Sequence, residues 1–155
     1  MNLTKIDRQI LDSYASMIEG LSMYLGSVYE ISLHSLEDYD HSVVKIMNGY
    51  HSGRTVGAPL TDLALNMLKR IKGQGISSGK DFTSYTAINA LGESLKSSTI
   101  PILGQNNRVI GVLCINLYLD SPLSEVLESI TGPKDVHTEQ ENFANDMTDA
   151  FTASI

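Results

Sequence analysis

A chain of 155 residues is long enough for one domain with a sizeable core and too short for two ordinary ones. Its 42% hydrophobic and 19% charged residues are the mix of a soluble globular protein, and no run of about 18 apolar residues predicts a membrane span. A net charge of −7 argues against nucleic-acid binding by these residues, the single cysteine excludes an internal disulfide, and an N-terminus without a basic-then-apolar leader points to the cytoplasm.

Ile6, Ile10, Leu11, Tyr14, Met17, Ile18, Leu21 and Leu25 recur at spacings of three and four, which predicts an amphipathic helix stopped at Gly26. Residues 28–36 change to a period of two. Tyr29, Ile31 and Leu33 lie on one face of this strand, and Glu30, Ser32 and His34 on the other. A second strand is expected at Val43–Met47, after an acidic turn at 37–40.

Residues 48–62 pack three glycines, a proline, Asn48, His51 and Arg54 between apolar runs. A connection of this length with its own turn chemistry is more often functional than passive. Thr61 or a neighbour then caps a helix carrying Leu63, Leu65, Met67, Leu68 and Ile71, ended by Gly73 and Gly75, with a mobile linker expected over 73–81. Strands follow at 84–90, 95–103 and 109–118. The last two are joined by the polar turn 104–107 and should form an antiparallel hairpin. The third is apolar except for Asn116, as expected of a strand covered on both faces.

Ser121 and Pro122 predict an N-cap followed by proline at the first helical position, in a helix broken by Gly132 and Pro133. Thr138 to Glu141 is a capping box opening a last helix with the stripe Phe143, Ala144, Met147, Ala150 and Phe151. That stripe reaches the final residues without a stop signal, so a piece of a longer protein is expected. The order helix–β–β–helix–β–β–β–helix predicts an α+β fold, one five-stranded antiparallel sheet flanked by helices. PAS and GAF sensor folds lead the candidates, with profilin-like layouts close to them.

Residue chemistry favours a binding module over an enzyme. His34 is either a histidine hydrogen-bonded within the fold or a pocket residue; the other histidines do not fall at metal-ligand spacings. The planar fork of Arg54 suits a carboxylate, whether a ligand's or that of Asp62. Ser97 and Thr99 point to one side of their strand and Ser98 to the other; a regular strand lacks the strained turn a nucleophilic serine uses, and hydroxyls lining a polar cavity are the better reading. Asn116, in an apolar strand, needs hydrogen-bond partners and is either a bracket or a pocket residue.

Five stretches taken together, Glu30 to Leu36, Asn48 to Arg54, Val56 to Asp62, Ser97 to Ile100 and Gly111 to Asn116, closely resemble the YheO-like PAS domain family over residues 10–120. The resemblance implies the N-terminal sensor half of a bacterial helix-turn-helix transcriptional regulator: a PAS-like domain over 1–120 and a helical connector over 121–155. It implies a homodimer, with DNA bound only through a C-terminal domain that does not follow in this chain; no cofactor is expected, and the histidine spacings predict no metal site. Family members associated with amino-acid utilisation make a small zwitterion the expected ligand. On residue chemistry its binding set would be His34, Asn48, Arg54, Tyr85, Ser97, Ser98, Thr99 and Asn116, with residues 48–62 as a gate. The rival expectation is a dimerisation module whose polar loop residues only brace the fold.

Overall fold

The computed structural model describes residues 1–74 and 84–132. The expected last helix with Phe143, Met147 and Phe151, and residues 75–81 of the expected linker, lie outside them. Helix α1 (Lys5–Leu25) is followed by strands β1 (Tyr29–Ser35) and β2 (Val43–Met47), helix α2 (Asp62–Gln74), strands β3 (Tyr85–Ile88), β4 (Ser94–Leu103) and β5 (Val109–Tyr118), and helix α3 (Leu123–Thr131). The five strands form one antiparallel sheet in the order β2-β1-β5-β4-β3, so the fold is α+β as the patterning predicts.

The helix ends have local causes. Thr4 and Asp7 form a reciprocal capping box that opens α1, each side chain accepting from the other's backbone N–H. Gly26, at φ 87°, closes α1 by donating its N–H to the Ser22 carbonyl at 2.9 Å. The Thr61 hydroxyl accepts from the Ala64 N–H at 3.2 Å at the start of α2. Gly73, expected as a stop, lies inside α2. Pro122 is the N-cap of α3, one place earlier than the first helical position expected for it, and Ser121 does not cap.

Helix α1 covers one face of the sheet. Leu3, Leu11 and Ile18 meet Ile31, Leu33, Ile102, Ile110 and Leu113 in one cluster; burying each such side chain is worth about 1.5–3 kcal/mol. Ile6 and Met17, part of the expected apolar stripe, are exposed instead, because the covered arc of α1 is narrower than its apolar one. On the opposite face Leu60, Ala64 and Leu68 pack on Leu36, Val112 and Cys114. Beside this second layer a cavity remains, lined by Leu63 and Ala64 of α2 together with Tyr85, Ile88, Leu95 and Tyr118 of the sheet.

Strand alternation sorts the face. Leu33 and Leu113 point toward α1, while Glu30, Ser32, His34, Thr99, Cys114 and Asn116 line the cavity toward α2. The polar face of β1, legible in its sequence, is therefore buried. None of the described helices is long and apolar enough to cross a membrane.

Candidate functional site

The cavity, about 560 Å³, lies between the sheet, the 48–62 connection and the start of α2, with the exposed Ile88 and Leu91 among its lining residues. Its floor is set by register. Tyr85 pairs with Ser97, Ser97 with Asn116, and Asn116 with Glu30, which makes one row across four strands. The adjacent row carries Thr99, Cys114 and Ser32. Residues 86 positions apart in sequence, Glu30 and Asn116, thus meet: the Asn116 amide donates to Glu30 Oε1 at 3.4 Å, and the Ser52 hydroxyl donates to Oε2 at 2.5 Å.

The connection 48–62 forms the rim and is firmly fastened. Its backbone returns to β2, with Val43 N–H donating to Ala58 O at 3.0 Å and Gly57 N–H to Val43 O at 2.8 Å. Inside it, Arg54 N–H donates to Gly49 O at 3.1 Å. A Cβ at position 49 would collide with the Arg54 carbonyl oxygen and the Ile46 side chain, which is why glycine stands there. The His51 ring stacks on Tyr118 with centroids 4.2 Å apart, and its Nε2–H donates to Ser27 O at 2.7 Å. These ties fasten the connection to β2, Ser27 and Tyr118.

His34 sits at 1% exposure. A consistent chain of bonds has the Ser32 hydroxyl donating to Nε2 at 3.1 Å, Nδ1–H donating to Ser42 Oγ at 2.8 Å, and the Ser42 hydroxyl donating to Ala58 O at 3.5 Å. Burial, reinforced by the Arg54 guanidinium, holds its pKa at about 4, so the ring is neutral at neutral pH. Burial also pushes the Cys114 thiol up to about 11, and the Tyr118 phenol to about 12 with help from the Glu30 carboxylate. Tyr85, whose phenol oxygen lies 2.7 Å from Thr99 Oγ1, is raised for the same first reason.

Of the residues singled out in the sequence, His34, Arg54, Tyr85, Thr99 and Asn116 line the cavity together. Asn48 does not; at φ 56° it turns its amide to Tyr29 O at 2.7 Å and Gly26 O at 3.3 Å, bracing the start of the connection. Ser98 lies on the other side of β4 from Thr99, as alternation requires, and outside the cavity lining. Ser97 shares the cavity side but is buried within its row, and its hydroxyl has no hydrogen-bond partner among the described residues. Arg54 donates to the Pro59 carbonyl, and no ion pair with Asp62 forms among the described residues.

Sequence reasoning passed over Glu30, Ser32, Ser52 and Tyr118. Glu30 and Ser32 carried a usable signal, since they alternate with His34 on the polar face of a strand. Ser52 and Tyr118 become wall residues only through the path of the connection and the register of β5. Among the described residues no group of three or more His, Cys, Asp or Glu is arranged to hold a metal ion.

A helix-covered antiparallel sheet in this strand order is that of a PAS domain, a fold that typically serves sensing or regulation. The chain belongs to the YheO-like PAS domain family, whose model matches residues 4–132. It is 41% identical over 151 residues to the uncharacterized protein YheO of Escherichia coli strain K12, covering 96% of this chain and 61% of that protein. It is 37% identical over 153 residues to an uncharacterized protein of Haemophilus influenzae, covering 98% and 67%. The chain thus spans less than two thirds of the Escherichia coli relative's length. Among solved structures it is similar to the PAS domain of a Colwellia psychrerythraea protein, at 17% identity and TM-score 0.39 over 66% of this chain and 97% of that one. It is also similar to an RNA-binding light-oxygen-voltage receptor, at 10% identity and TM-score 0.44 over 77% and 38%. PAS domains in general bind small molecules and dimerise.

Proposed function

We propose that this domain is the ligand-sensing and dimerisation part of a bacterial transcriptional regulator, and that a small polar metabolite such as an amino acid binds in the cavity. The observation that carries the reading is the cavity floor. Glu30, Ser32, His34 and Thr99 are buried polar groups gathered on one face of the sheet, with the Arg54 guanidinium at the rim. These groups are paired with one another or with their neighbours, but they face a space that a core held together only by packing would fill, because side chains beside a void forfeit contacts. His34, Arg54, Tyr85, Thr99 and Asn116 would contact the ligand. DNA would be bound by a separate C-terminal domain.

Dimerisation through a second copy is supported by the apolar surface where α1 and α3 meet. Gly26 lies against Ser129 there, and Met23, Tyr24, Leu127 and Ile130 are exposed nearby. Ultracentrifugation tests that part, and a monomer at high concentration would sink it.

Thermal-shift titration with amino acids and small carboxylic acids tests sensing. A ligand at a hundredfold excess over its Kd stabilises by about 2.7 kcal/mol, a rise of several degrees. The rise should be lost in Arg54→Ala. If no compound raises the melting temperature of the wild-type domain, the sensing reading falls.

A further inference from the structure

The charges of the cavity do not balance. Among the described residues its lining holds two carboxylates, Glu30 and Asp62, and one guanidinium, Arg54. His34 adds no positive charge at neutral pH. Asp62 is exposed at the start of α2, where solvent and the helix N-terminus both favour its charge. Glu30 has neither. It is 2% exposed, and among the described residues its carboxylate accepts from two neutral donors, the Ser52 hydroxyl and the Asn116 amide at the long distance of 3.4 Å. No ion pair to it forms among the described residues. A buried carboxylate offers about four acceptor positions and is costly without a cation.

We propose that Glu30 is the cation-binding subsite of this cavity: the ligand carries a protonated amine that docks on the Glu30 carboxylate, while its anionic end faces Arg54. This rests on the sensing reading above and specifies its ligand class. The same row supplies a further group. The Ser97 hydroxyl, 1% exposed and unpartnered among the described residues, lies two strands from Glu30, with Asn116 between them. A small shift of Asn116 toward it would free Glu30 Oε1 for the incoming amine. Both charges are felt together in the cavity, since Glu30 raises and Arg54 lowers the pKa of Cys114 and of Tyr118. A plain carboxylic acid would meet Arg54 at the rim but bring a third negative charge toward Glu30. An amino acid answers both.

Calorimetric titration with matched triplets separates the outcomes: L-alanine, pyruvate and ethylamine; and L-glutamate, 2-oxoglutarate and 4-aminobutyrate. In at least one triplet the amino acid should bind at least about tenfold more tightly than its oxo acid, the worth of one charge-assisted hydrogen bond. Glu30→Gln, which keeps the shape and an acceptor, should cut that ratio to near one without weakening the oxo acid. Oxo acids binding as tightly as the amino acids, or an unchanged ratio in Glu30→Gln, would overturn the subsite while leaving the sensor reading intact. Should Glu30→Gln fail to fold, the wild-type ratios decide alone. Absence of binding by every compound would overturn both.

Discussion

Asp7 and Arg108 stand 101 positions apart and form an ion pair at 2.6 Å that ties the first turn of α1 to the β4–β5 turn. The Asp7 carboxylate is fully buried and also accepts from the Thr4 and Gln105 backbone N–H groups at 2.9 and 2.8 Å. The Thr4 N–H, followed by that of Gln105, holds its pKa below the ordinary 3.8. A depressed carboxyl contributes stability that is complete above the ordinary value and is lost as the pH falls through the lowered one. Asp7→Ala should therefore lower the melting temperature strongly at pH 7 and remove much of the acid limb below about pH 4. A variant as stable as the wild type would show the pair to be dispensable.

His34 adds a second, separate pH dependence. Above pH 6.5 the ring is neutral in both folded and unfolded chains. Between 6.5 and about 4 the unfolded chain takes up a proton that the buried ring does not, so stability falls as the pH falls. That loss amounts to up to about 3 kcal/mol across the window. Urea midpoints measured through it should decline less steeply in His34→Gln than in the wild type; equal slopes would place the titration elsewhere.

Arg54→Ala should separate ligand binding from folding. Its visible tie is one hydrogen bond to the Pro59 carbonyl, so the cost to stability should stay within about 1.5 kcal/mol. Loss of the guanidinium should raise the His34 pKa toward its ordinary value, an effect that NMR titration of the imidazole reads directly. A large destabilisation without a histidine shift would make Arg54 a clamp of the connection only.

Ser97→Ala tests whether that hydroxyl is reserved for a guest. Removing a buried donor that pays no bond in the free domain should leave stability unchanged or raise it by roughly 1 kcal/mol. Denaturation curves showing a loss larger than that would reveal a partner for it.

Cys114 offers a reporter of cavity occupancy. Buried and with its thiol near pKa 11, it should react with Ellman's reagent at pH 8 far more slowly than in urea-unfolded protein, since about one thiol in a thousand is ionised. A compound seated in the cavity should slow the native reaction further, and fast native labelling would contradict the enclosed site.

Much of the fold was legible in the chain because its signals are local. The period of three to four in residues 6–25, the switch to two after Gly26, and the polar turn at 104–107 each act within a few residues. The same alternation put Glu30, Ser32 and His34 on one face, and Ser98 opposite Thr99. Local signals failed where packing overrode them, at the exposed Ile6 and Met17, and where turn chemistry was read too freely, at Gly73 and Pro122. The Thr4–Asp7 capping box was also readable; the Arg108 that completes its buried network was not.

By itself, then, the sequence determined the elements, the polarity of each strand face and membership of a PAS-type family, all properties set by neighbours in the chain. Tertiary structure alone decided that Glu30, Asn116, Ser97 and Tyr85 form one row, that the 48–62 connection returns to pair with β2, and that Arg54 turns to Pro59 instead of Asp62. Register and loop path bring together residues tens of positions apart, and no short window of sequence encodes them.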